Sequence, residues 1–131
     1  MANNTFVNIG GHKISAGKKY STSEVKTGDV WINGKPIYRL VLQGTTPATP
    51  YTYTQWKTLS SDVDQIINMY GIIANTFVVG AMRPGSDSVA MPGYTVWPYY
   101  DYNGHIIALV SATNSANKSM FLIVEYTKTT D

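Results

Sequence analysis

The twelve residues from Gly93 to Gly104 read GYTVWPYYDYNG and concentrate the side chains best suited to meeting a ligand: Trp97, Tyr99, Tyr100, Asp101 and Tyr102. Aromatic faces stack on the apolar faces of pyranose rings. Carboxylates, amides and phenolic hydroxyls then orient the sugar through hydrogen bonds. These five residues are the candidate ligand-binding set. The competing reading sends Trp97 and some of the tyrosines into the core or a subunit interface. Burying Tyr99, Tyr100 and Tyr102 together beside turn residues is the harder arrangement.

Catalytic chemistry finds less support. The chain has no cysteine and only two histidines, His12 and His105, so a Cys-His site is excluded. A Ser-His-Asp triad would have to use one of those histidines, and neither lies in a G-x-S-x-G context. His12 follows two glycines and reads as a turn residue; His105 follows a hairpin turn and reads as an exposed strand-end residue. Asp62 and Asp64 form a D-x-D that, on a strand, would point both carboxylates one way, toward a hard cation. Ser60-Ser61-Asp62 reads more simply as turn chemistry, in which Ser and Asp bond their own backbone. A glycosidase needs two carboxylates facing across a sugar. Eight acids leave that pair unranked, and Asp101 alone sits among aromatics. The expectation is a non-enzyme without a cofactor.

The elements that must position these residues are short β segments separated by turn signals. Phe6–Ile9 and Lys13–Ser15 flank Gly10-Gly11 as a hairpin. Val30-Trp31-Ile32, Asn33-Gly34 and Ile37–Leu42 form a second, with Asn33 and Gly34 expected at the two positive-φ positions of a type I′ turn. Pro36 lacks an N–H for a ladder. Tyr51–Leu59 alternates Thr with aromatics and presents two different faces. In Asp62–Ala74, Val63, Ile66, Ile67 and Tyr70 fit a helical face with Ser61 as cap, but Gly71 and the paired isoleucines favour a strand, which is the reading adopted here. Thr76–Ala81, Tyr94–Pro98, His105–Ala112 and Met120–Thr127 complete the strands, with a Gly/Pro/Ser loop over Arg83–Gly93. The fold class is therefore all-β, an antiparallel β-sandwich or jelly-roll-like barrel, in a single domain over residues 1–131.

Composition narrows the partners. Charged residues make up 14% of the 131, well below the usual quarter, and ten tyrosines are present. The formal charge is +2 and the longest basic run is Lys18-Lys19, too little to neutralise a phosphate backbone, so nucleic acid is not an expected partner. No apolar run reaches the length of a membrane span. The opening MANNTFVNIGG lacks the basic and apolar regions of a signal peptide. If the domain works outside a cell, it would leave within a larger assembly or by lysis.

The last strands carry a further expectation. In MFLIVEYT one face shows Met120, Leu122, Val124 and Tyr126, and the other Phe121, Ile123 and Thr127 around Glu125. HIIALVS is also apolar on both faces. One small core needs only one apolar face per strand, so a second cover is expected, namely another copy of the chain.

TGDVWINGKPIYRLVL resembles a segment of bacteriophage and prophage tail-fibre, baseplate and related virion proteins, carried here by Trp31, Ile32, Asn33, Gly34, Lys35, Pro36, Ile37, Tyr38 and Arg39 after Tyr20-Ser21-Thr22-Ser23-Glu24. VDQIINMYG from Val63 to Gly71 is similar to the family's next element, and IVEYTKTTD from Ile123 to Asp131 to its closing run. The resemblance implies an all-β, homotrimeric module at a virion fibre tip, made in the bacterial cytoplasm without a signal peptide. Its implied partners are other fibre or baseplate proteins and a bacterial surface polysaccharide. It makes Trp31 and Tyr38 part of the frame and leaves specificity to Gly44–Tyr53 and Gly80–Tyr102. A purely structural trimerising or capping module is the alternative.

Overall fold

A computed structural model describes residues 6–9, 12–15, 18–74, 77–78, 96–101, 103–111 and 115–131. Tyr102 lies outside them, as does the whole Arg83–Gly93 loop.

Strands β1 (Phe6–Ile9) and β2 (His12–Ser15) pair antiparallel, Ile9 opposite His12, and the Gly10-Gly11 turn expected between them lies outside the described residues. A five-stranded antiparallel sheet runs in the order β3-β4-β10-β6-β7. Its members are β3 (Val25–Val30), β4 (Pro36–Thr45), β6 (Val63–Ile73), β7 (Phe77–Val78) and β10 (Ser119–Lys128). A three-stranded sheet runs β5-β9-β8, with β5 (Thr54–Thr58), β8 (Val96–Asp101) and β9 (Ile106–Ser111). The described residues include no α-helix. The chain is all-β, in antiparallel sheets, and the ambiguous Asp62–Ala74 segment is a strand from Val63 on.

The two larger sheets share one core. β10 runs down the middle of its sheet and turns Met120, Leu122, Val124 and Tyr126 inward, all at or below 2% exposure, alternate residues as a pleated strand requires. Opposite them stand Val96 of β8 and Ile107 and Leu109 of β9. Gly71 lets β6 come close to β10: a Cβ there would stand 2.0 Å from the carbonyl oxygen of Phe121. The alternation breaks at a bulge past Glu125, so Thr127 is buried beside Tyr126 rather than facing outward. Its hydroxyl oxygen accepts the Gln65 N–H at 3.2 Å.

Part of the outward face of the five-stranded sheet is met by the chain itself. Residues 19–22 run beside β4 at the margin of that face: Val41 N–H donates to Ser21 O at 2.9 Å, and Arg39 Nη1 to Lys19 O at 3.2 Å. The Arg39 guanidinium also lies 4.9 Å from the centroid of the Tyr20 ring. Phe121 remains exposed.

The Trp31–Lys35 turn differs from a type I′ hairpin. Gly34 N–H donates to Trp31 O and Trp31 N–H to Lys35 O, both at 2.8 Å, and only Gly34 takes a positive φ, +87°. Ile32 and Asn33 are therefore the central residues, and Gly34 follows in the left-handed region as a bulge, the three-residue loop form. Asn33 Oδ1 accepts the Lys35 N–H at 3.1 Å, so its side chain closes the turn instead of its backbone inverting. Strand β3 ends at Val30, and Trp31 and Ile32 belong to the turn.

Candidate functional site

Strand β8 divides the aromatic set predicted from sequence. Its residues alternate across the three-stranded sheet, so Val96 and Tyr100 join the core side while Trp97 and Tyr99 face outward. Tyr99, at 57% exposure, meets Tyr53 from the approach to β5, at 52%. Their ring centroids are 5.8 Å apart and the planes cross at 75°, an edge-to-face contact. Tyr53, Trp97, Pro98, Tyr99 and Val110 line a shallow, mostly apolar groove of about 180 Å³. Val110 is the register partner of Trp97 and forms its floor.

Tyr100 is elsewhere. It packs against the core, and its hydroxyl shares a hydrogen bond with His105 Nδ1 at 3.1 Å. His105 is not the exposed strand-end residue expected. It is a half-buried turn residue in the left-handed region, φ 51°, immediately before β9. Asp101 Oδ1 accepts the Asn103 N–H at 3.0 Å and so closes the β8–β9 turn.

Of the five predicted residues, the structure thus brings Trp97 and Tyr99 together, sends Tyr100 to the other side of the sheet, and ties Asp101 into a turn. It adds Tyr53, which ends the Gly44–Tyr53 specificity segment but is not one of the five candidate residues. The signal available was the alternation in YTYTQ, although only its last two residues belong to β5 and Tyr51 lies in a turn with φ 57°. Tyr53 lies 46 positions before Tyr99 in the chain, and only the β5-β9-β8 strand order joins them.

The D-x-D residues are each neutralised by a lysine. Asp64 Oδ2 is 2.7 Å from Lys35 Nζ, and Asp62 Oδ2 is 3.1 Å from Lys128 Nζ. Asp62 lies in the turn and Asp64 in β6, so the two do not act as a same-face pair. Lys128 also donates to Glu24 Oε1 at 2.8 Å, and the Tyr126 hydroxyl donates to the other oxygen of Glu24. The Ser60 hydroxyl and then the Lys128 ammonium hold the Asp62 carboxyl below its usual range. Hydrogen bonding to Glu24 raises Lys128 above the ordinary lysine value, although burial opposes it. Among the described residues, no group of three His, Asp or Glu side chains is placed to hold a metal ion.

Comparison with protein-family models, curated proteins and solved structures found no match to this chain.

A second hollow lies on the other sheet. Tyr20, Ser21, Thr22, Val41, Phe121 and Ile123 line a shallow apolar depression of about 320 Å³. Beneath its rim Arg39 donates to Glu125 at 2.7 Å, and the Tyr70 hydroxyl reaches Glu125 and the Tyr20 hydroxyl at 3.4 Å each. Burial, the Tyr20 contact and the Glu125 charge push Tyr70 up to about 12.

Proposed function

We propose that this chain is a phage or prophage fibre-tip module that binds a bacterial surface saccharide without covalent chemistry. The observation that carries the reading is the outward aromatic platform of Tyr53, Trp97 and Tyr99. Tyr53 and Tyr99 are each more than half exposed at a sheet surface, and the half-buried Trp97 lines the same groove beside them. Aromatic rings that carry phenolic hydroxyls and an indole N–H suit a ligand with one apolar and one hydroxylated face. The resemblance of Trp31–Arg39, Val63–Gly71 and Ile123–Asp131 to virion fibre proteins supplies the setting: a homotrimer in the virion, attached to other fibre or baseplate proteins. Three tethered copies would convert weak single sites into useful avidity.

A second reading, a structural module that trimerises or caps a fibre and binds no ligand, is favoured by the apolar depression around Phe121 and Ile123. An array of bacterial surface polysaccharides probed with the intact protein separates the two. Binding to a polysaccharide that Tyr53→Ala and Tyr99→Ala both weaken supports the receptor reading. An intact oligomer that binds nothing on the array supports the structural one.

A further inference from the structure

Tyr99 and Tyr100 are consecutive residues of β8 on opposite faces, and β8 is the last described strand of its sheet. Beyond that edge Tyr100 lines a larger groove with Trp31 of the hairpin turn and Asp64, Gln65, Ile66 and Ile67 of β6. Its volume is about 400 Å³, within the range of small-molecule sites, whereas the outer platform falls below it. The groove combines two aromatic rings, an aliphatic wall and two polar side chains.

We infer that this groove is a second ligand subsite, taking a neutral hydroxyl-rich ring such as a further sugar unit of a saccharide that passes over the β8 edge. The inference rests on the saccharide reading given above. Charge decides the ligand class. Lys35 holds Asp64 at 2.7 Å, so the pair presents little net charge to an anion or cation, yet the carboxylate still accepts hydrogen bonds. The Gln65 side chain is exposed and adds both donors and an acceptor. The shared hydrogen bond with His105 fixes the Tyr100 ring, and the backbone bonds of the Trp31–Lys35 turn fix the base of Trp31. A ring bound here therefore meets walls that are already positioned, which lowers the ordering cost of binding. Trp31, which the sequence reading assigned to the frame, then serves both frame and ligand.

The test uses the polysaccharide that the intact protein binds on the array, cut into a ladder of oligosaccharides. The affinity of each fragment is measured by titration calorimetry for the wild type, Gln65→Ala, Trp31→Ala and Tyr99→Ala. Gln65→Ala changes only an exposed side chain, so it reports binding even if Trp31→Ala disturbs the turn. The expected result is that Gln65→Ala weakens the longer fragments by about tenfold, the size of one lost hydrogen bond, and leaves the shortest binding fragment unchanged. Tyr99→Ala should weaken every length. Wild-type affinity of Gln65→Ala for all lengths, with Tyr99→Ala still impaired, overturns the second subsite and leaves the outer platform standing. Failure of every polysaccharide to bind overturns both.

Discussion

Arg39 and Glu125 are register partners on β4 and β10, and their side chains close to 2.7 Å between Nε and Oε2 with almost no solvent access to the arginine. The pair sits on the outward face of the five-stranded sheet, under the chain's own residues 19–22. A buried ion pair broken from one side leaves an uncompensated charge, which costs far more than the intact pair contributes. Glu125→Ala should therefore destabilise the fold by about 3 kcal/mol in urea unfolding. The double variant Arg39→Met, Glu125→Leu should recover most of that loss. A single variant as stable as the wild type would show that the arginine finds water or another partner.

Lys128, at the end of β10, bonds both Glu24, just before β3, and Asp62, just before β6. The folded-state value of Asp62 is depressed, so its contribution is present above the unfolded carboxylate value of about 3.9 and lost as pH falls through the lower folded value. Lys128 is raised, so its contribution is present below about 10.4 and lost only at strongly alkaline pH. Stability measured against pH should be flat near neutrality and fall in acid below about pH 4. Lys128→Met should lower the plateau and flatten that acid limb. An unchanged acid limb in the variant would remove Lys128 as its cause.

Gly71 faces Leu122 across the β6–β10 ladder with no room for a side chain. Gly71→Ala would drive a Cβ into backbone that belongs to the central strand of the sheet. The expected cost exceeds about 2 kcal/mol, or soluble protein is lost altogether. Wild-type melting behaviour would mean that β6 can shift away from β10.

The two adjacent tyrosines of β8 should behave differently. Tyr99→Ala changes an exposed ring and should alter stability by less than about 0.5 kcal/mol. Tyr100→Ala removes a ring packed on the core and should cost about 2 kcal/mol. Equal melting temperatures for the two variants would contradict the assigned strand faces.

Where local period decides structure, the fold was legible in the sequence. The Met120, Leu122, Val124, Tyr126 face follows from alternation alone, and Gly71 with its flanking isoleucines marks β6 as a strand. The Asn33-Gly34 pair locates its turn but not the turn type, because the Asn33 side chain captures the Lys35 N–H and leaves only Gly34 in the left-handed region. The candidate site was half legible. Sequence proximity grouped Tyr99 with Tyr100, but the strand period that made β8 a strand also sets them on opposite faces. The partnership of Tyr53 with Tyr99 depends on strand order, a long-range property that no local pattern carries. Likewise, nothing local in the sequence shows residues 19–22 folding back beside Arg39 and Val41.

Whether the Tyr53–Trp97–Tyr99 platform meets a saccharide is decided by the affinity of Tyr99→Ala for the array-selected polysaccharide. A loss of about tenfold or more with an unchanged melting temperature is expected, from removal of one stacking ring from a ligand platform. Wild-type affinity in a folded Tyr99→Ala protein would contradict it and move the binding surface away from this sheet.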